Sequence, residues 1–314
     1  MRLSYLLSAL SEIQKFDAHM ARTNTAQGME WVKHTIENAG VTPENLVAQL
    51  TQEYNLIQGT INQFDSTVTH AINNIKSQIL LAQPEYLSNS FKLFDEQMRP
   101  YDVPKHVLDR TLGLSADQIS ELTTRIATRA DWHHPGMIIR PGCESWIESM
   151  VALDPLYVVD ECEELLEPLN NRFNPQYLSR LRKIVIDNSR SSNILESIPD
   201  TQIAFCLIYN YFNFRPMEVI TQLLREIFNK LKPGGVVAMT VNDCDRPGGV
   251  ALTERNFACY TPLSMIVNVA DGMGYQVAHS IELSSATTWL ELAKPGTLTS
   301  LRGGQSLAKI FAKS

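Results

Sequence analysis

The chain has 314 residues, enough for one large domain or two modest ones, and 44% of them are hydrophobic against 19% charged. That composition excludes wholesale disorder and a fibrous repeat. With 27 Lys+Arg against 34 Asp+Glu and a formal net charge of -7, a protein built chiefly to grip a phosphate backbone is disfavoured. The five cysteines are odd in number and show no C-x-x-C spacing, so they read as reduced, mostly buried thiols. No apolar run approaches a membrane span, and a cytoplasmic location is expected. Residues 1–10 superficially resemble a signal sequence, but Glu12, Lys15 and Asp17 cut the apolar part short. A first helix is expected there.

Residues 1–130 read as a helical assembly or docking region. Thr42-Pro43-Glu44 is a good helix start, with a capping hydroxyl, a proline suited to the first turn and an acid at the positive end. Leu50, Tyr54, Ile57, Ile61, Phe64, Val68, Ala71 and Ile75 then alternate steps of four and three, a heptad stripe on one coiled-coil-like helix. Pro84 and Glu85 are expected to end it, so the helix is placed at about 43–83. Its other faces are rich in Asn, Gln, Ser and Thr and poor in charge, which carries no ion-pair code for a specific partner. Two readings follow: a hairpin helix packed on its own domain, or a helix that assembles with copies or partners. Shorter helices are expected at 88–97, 103–112 and 115–130, the last capped by Ser115 and burying Ile119, Leu122, Thr123 and Ile126.

After residue 130 the period changes. Short apolar strands are expected at 137–139, 156–159, 184–186, 203–209 and 236–241. Helices are expected between them at 144–152, from 161 and from Pro216. The residues 275–279 and 287–293 read as strand-like, the latter adding an antiparallel edge. Strands alternating with helices of these lengths imply an α/β domain over 131–295, with a mostly parallel, doubly wound sheet and a tail at 296–314. Ligands of such sheets sit outside the carboxyl ends of the strands. Those ends carry Pro141-Gly142-Cys143-Glu144, Asp160-Glu161, Asp187-Asn188 and Asn210-Tyr211. A carboxylate at Asp160 is placed to accept both ribose hydroxyls of a nucleoside, and Asp187 either accepts an exocyclic amine or caps its loop. His133 and His134 precede the first strand, but no further ligand stands at a metal spacing, so no metal site is expected. A nicotinamide site needs three spaced glycines, and Gly142 has neither companion.

Residues of about 132–293 resemble a class I S-adenosylmethionine-dependent methyltransferase. Met137-Ile138-Ile139-Arg140-Pro141-Gly142-Cys143-Glu144-Ser145-Trp146 aligns with the family's first motif, Asp160 with the acid ending its second strand, and Asp187 with its third-motif acid. Phe205 to Tyr211 aligns with the fourth strand and its loop, and Leu231-Lys232-Pro233-Gly234-Gly235 with the turn before the fifth. The resemblance implies a Rossmann-like sheet, S-adenosylmethionine as cofactor, and Gly142, Glu144, Asp160, Asp187 and Asn210 as its binding residues. It places catalytic groups at Tyr209, Asn210 and Tyr211, after the fourth strand. The first motif departs from the family. Ile138 stands at its acid, Arg140 and Glu144 at two of its glycines, and Ala204 at the fourth-motif acid. Two long side chains in place of glycines are expected to narrow the methionine side, with Arg140 and Glu144 pairing across the loop or turning outward. Two functions are therefore carried forward. One is a methyltransferase of unread acceptor. The other is a catalytically inactive methyltransferase-like structural or adaptor subunit, held in an assembly or homo-oligomer by the N-terminal helices.

Overall fold

A computed structural model describes residues 2–15, 44–95, 114–131, 134–140, 144–161, 163, 166–167, 169–187 and 193–298. The helix expected at 103–112 and most of the expected tail lie outside them. The chain divides into two compact units, residues 1–84 and 85–314.

In the first unit, helix α1 (residues 3–15) buries Leu3 and Leu6. A shallow apolar notch brings Glu12 and Ile13 of α1 beside Thr67, Val68 and Ala71 of α2 (Glu44–Leu93). Within the heptad stripe, Ile61, Val68, Ala71 and Ile75 are half-buried and Phe64 is exposed, while the side chains of Leu50, Tyr54 and Ile57 lie outside the described set. Pro84 does not end α2, which runs on to Leu93. Proline removes one hydrogen bond and crowds the preceding turn, a cost that tertiary contacts can offset. Here the turns that follow are anchored. The Tyr86 hydroxyl donates to Glu254 at 2.7 Å, its ring packs 5.4 Å from Tyr260, and Ser90 Oγ accepts from the Tyr260 N–H at 2.7 Å.

The second unit is built on a seven-stranded sheet of order β3-β2-β1-β4-β5-β7-β6. The strands are β1 (Gly136–Ile139), β2 (Leu156–Asp160), β3 (Leu181–Val185), β4 (Ile203–Ile208), β5 (Leu231–Asn242), β6 (Gln276–Glu282) and β7 (Thr287–Ala293). The first five are parallel, and β7 runs antiparallel to both its neighbours. This is the Rossmann-like, doubly wound sheet of methyltransferase type. β7 is not the edge, as expected from the sequence, but lies between β5 and β6. Its side chains Trp289, Leu290 and Leu292 are apolar and fully buried, whereas β6 is mostly exposed and forms the border.

Successive residues of each central strand feed opposite faces. Met137, Ile139, Cys206, Ile208 and Val237 meet Ile220, Leu223, Leu224 and Ile227 of α7 (Met217–Lys230) and Ile266 of α9 (Leu263–Gly272). Ile138, Val158, Phe205, Leu207 and Ala238 meet Leu122 and Ile126 of α3 (Ala116–Arg129) and Trp146, Ile147 and Met150 at α4 (Glu144–Ser149). The short helices α5 (Leu169–Arg172) and α6 (Pro175–Leu178) add Leu169 and Tyr177 to that second face, and α8 (Pro247–Glu254) follows β5. α3, expected with the helical region, is thus part of the α/β unit. Of its expected inner face, Thr123 is exposed.

The Lys232-Pro233-Gly234-Gly235 turn is a bulge inside β5. Leu231 pairs with Ile203 and Val236 with Phe205, so four residues are thrown out opposite one. Gly234 has φ +79°, and a Cβ on Gly235 would lie 2.9 Å from the Ile203 carbonyl oxygen. Both positions need glycine for the strand to resume its register.

Candidate functional site

The carboxyl ends of β1, β2 and β4 converge because the strands are in register: Ile139 sits opposite Val159 on one side and Ile208 on the other. The residue leaving β1 therefore meets the last residue of β2. That residue is Arg140, whose N–H donates to the Val159 carbonyl at 2.7 Å and whose φ is +50°. Ile138, expected at the position of the first-motif acid, is mid-strand and buried in the core. Arg140 is the residue of this motif that faces Asp160.

The side chains close into one charged cluster. Arg140 Nη2 lies 3.2 Å from Asp160 Oδ1 and 3.7 Å from Glu161 Oε2. Arg215 Nη2 donates to Glu161 Oε1 at 2.7 Å, and the Tyr211 hydroxyl donates to the same oxygen. The Arg215 guanidinium stacks 4.2 Å above the Tyr211 ring and 5.1 Å from the Phe94 ring. Both arginines and Asp160 are almost fully buried. Two guanidinium groups offset two carboxylates, which is what makes such burial tolerable. Burial pushes the Glu161 carboxyl up, but the Arg215 and Arg140 charges and the bonds from Tyr211 and Arg215 outweigh it and hold the group below its ordinary value. Burial and the neighbouring Glu161 charge push the Tyr211 phenol far above its ordinary value. Tyr211 is therefore a protonated donor, unsuited to act as a base at neutral pH.

The expected catalytic trio does not converge. Tyr209 packs on Trp146 with ring centroids 4.8 Å apart, in the core of the α3–α4 face, whereas Tyr211 belongs to the core of the α7 face. Asn210 between them has φ +52°, and that left-handed residue turns the chain over. Its N–H donates to Thr240 Oγ1 at 2.7 Å, and Thr240 donates on to Asn213 Oδ1 at 3.2 Å. These bonds pin the loop to β5.

Of the expected cofactor residues, Asp160 and Asn210 lie at this end of the sheet. Asp187 follows β3 and is exposed, Gly142 lies outside the described residues, and Glu144 opens α4. Asp160 and Glu161 pair with Arg140, and the side chain of Glu144 lies outside the described set. His134 precedes β1, at the opposite end of the strand, with Nδ1 3.2 Å from Lys232 Nζ; His133 lies outside the described residues. Among the described residues no group of three His, Cys, Asp or Glu side chains is placed to hold a metal ion.

Sequence reasoning missed Glu161, Arg215 and Phe94 as members of the cluster. Only the adjacency of Glu161 to Asp160 hinted at any of them. Among the described residues the fit to S-adenosylmethionine is poor, since the Asp160 carboxylate, expected to accept the ribose hydroxyls, is paired with the buried Arg140 guanidinium.

The sequence matches no known family model and no curated protein. Similar solved structures include the mitomycin 7-O-methyltransferase MmcR, 16% identical, with 73% of this chain and 71% of that one covered at a TM-score of 0.47. The N-methyltransferase NodS from Bradyrhizobium japonicum WM9, in complex with S-adenosyl-L-homocysteine, is 10% identical over 67% of this chain and 98% of that one, with a TM-score of 0.44. The [4+2]-cyclase SpnF is 12% identical over 60% and 84%, with a TM-score of 0.45. The fold assignment rests on strand order and direction rather than on these likenesses.

Proposed function

We propose that this chain is a methyltransferase-type fold kept without cofactor-dependent turnover, serving as a structural or adaptor subunit of a larger assembly. The observation that carries the reading is the buried Arg140–Asp160 ion pair. It engages the acid expected to accept the ribose hydroxyls of the cofactor in an S-adenosylmethionine-dependent enzyme. The protonated, bonded state of Tyr211 and the separation of Tyr209 from it support the same reading. The compartment is cytoplasmic in this proposal, which suits the free, buried thiols of Cys206, Cys244 and Cys259. Among the described residues no helix is long and apolar enough to cross a membrane.

Isothermal calorimetry of the full chain with S-adenosylmethionine and S-adenosyl-L-homocysteine tests this. No binding heat is expected up to about 1 mM ligand, a ceiling of roughly -4 kcal/mol. A micromolar Kd would restore the reading of an active methyltransferase, with Asp160 on the ribose and the loop at 209–211 beside the acceptor.

The assembly role falls to the N-terminal helices. From Tyr54 to Phe64, and again from Ser66 to Ile75, α2 carries no charged side chain. Pairing between identical helices therefore brings no like charges together, whereas a foreign partner is normally selected by complementary ones. Homo-oligomerisation through the Leu50–Ile75 stripe follows. Light scattering at tens of micromolar is expected to report a multimer that Ile61→Asp with Val68→Asp dissociates. A monomeric parent would leave only the intrachain hairpin.

A further inference from the structure

The two borders of the sheet differ. β3 carries exposed Arg182 and Lys183, charges that discourage a further strand from pairing there. β6 has no such guard. Residues 276–281 include no Asp, Glu, Lys or Arg, Val277 is 50% exposed, and among the described residues no strand pairs with the outer side of β6. Its inner side is fixed by β7. Ile281 and Glu282 stand opposite Trp289 and Thr288, and the Leu283 N–H donates to the Thr287 carbonyl at 3.0 Å. In an antiparallel ladder the bonding direction alternates along the strand. With Leu283 bonded inward, Ile281 bonds inward too, and the N–H and C=O of Ser280 and Glu282 point out of the sheet. The Ser280 side chain is exposed as well. The nearest charge, Glu282, is paired with Arg246 at 3.1 Å.

We propose that β6 is a self-pairing edge: two copies of this chain join antiparallel along it, about a two-fold axis at Ser280, and merge their sheets. That axis sets Ser280 against Ser280 of the second copy, so that each donates its N–H to the other's carbonyl. It also sets His279 against Ile281 and Ala278 against Glu282 of the second copy, so no like charges meet. A foreign peptide added to a sheet edge is selected by side-chain pockets and charges beside it. An identical strand needs only the free backbone and the absence of repulsion, which is what residues 276–281 offer. This interface is separate from the helical stripe and does not depend on it.

The test is light scattering of the full chain at tens of micromolar, in the parent and in the stripe variant Ile61→Asp with Val68→Asp. The stripe variant is expected to remain a dimer. Adding Ser280→Pro should make it a monomer by raising the dimer Kd at least about tenfold, whereas adding Ser280→Ala should leave it dimeric. Proline at 280 removes an N–H that β7 does not use, so the melting temperature should stay near that of the alanine variant. A monomeric stripe variant would overturn the edge pairing and leave the helical interface standing. A dimer that survives Ser280→Pro would overturn the edge pairing as well. A stripe variant as heavy as the parent, and halved by Ser280→Pro, would support the edge and overturn the helical interface. If Ser280→Pro unfolds the chain, Ser280→Cys decides. Residues exchanging both bonds across the axis have Cα atoms about 5.5 Å apart, within disulfide reach, so diamide should join two chains through a bond that the serine protein does not form. Absence of that covalent dimer would reject the edge pairing.

Discussion

Asp160→Ala should destabilise the α/β unit by about 3–5 kcal/mol, because it leaves the Arg140 guanidinium buried without its main counter-charge. Glu161, 3.7 Å from the same guanidinium, moderates the loss and favours the lower end of that range. The informative measurement is a double-mutant cycle in urea. Arg140→Gly with Asp160→Ala removes both charges together and should recover much of the loss, giving a coupling of about 2–3 kcal/mol. In an open cofactor cleft the outcome would differ: Asp160 would face solvent or ligand, and its loss would weaken cofactor binding with little change in the urea midpoint. A near-zero coupling would show that Arg140 and Asp160 do not depend on one another in solution.

Glu291→Ala should cost about 2–4 kcal/mol and loosen α3 from the sheet. Glu291 is a carboxylate on β7, 1% exposed, that accepts from Arg125 Nε at 2.9 Å, Arg129 Nη2 at 2.8 Å and Trp289 Nε1 at 3.1 Å. Both arginines come from α3 and keep 27% and 39% of their side-chain surface, so they rehydrate in the variant. The buried indole N–H cannot, and its lost bond sets much of the cost. Hydrogen exchange should rise first in residues 116–129. The same carboxylate also contributes to acid sensitivity. Burial pushes it up, but the bonds from Arg125, Trp289 and Arg129 outweigh burial and hold it below its ordinary value. A folded-state value below the unfolded one contributes stability above about pH 4.3 and loses it as the pH falls. Glu161 acts in the same sense. The parent should therefore weaken between about pH 5 and 3, and Glu291→Ala should show a shallower decline over that window. An unchanged slope would remove Glu291 from the acid response.

Much of the sheet was legible because its central strands are buried on both faces and read as unbroken apolar runs. The expected bounds of the strand at 287–293 hold, and those near 137, 156 and 203 shift by one residue. The third strand was placed three residues late, since Leu181-Arg182-Lys183 lies at the edge, where charged side chains are exposed and the apolar signal is thin. Pro84 misled for a related reason. Local chemistry argued for a stop, and contacts from Tyr86 and Ser90 to residues 168 and 170 positions away overrode it. Tyr209 and Tyr211, two residues apart, would share a face on a continuous strand. A left-handed turn at Asn210 separates them, and no apolar pattern encodes that turn.

The sequence by itself determined the alternation of strands and helices and the position of Asp160 at a strand end. These are local properties, set by side-chain periodicity and by residue type at the ends of elements. Only the tertiary structure decided where the Arg140 side chain went. Arg140 reaches Asp160 because β1 and β2 are parallel and in register, bringing together residues 20 positions apart. Phe94 and Arg215 reach the same cluster from before and after the sheet's first strands. Charge pairing in a buried site depends on which strand lies beside which, and strand order is a property of the assembled sheet.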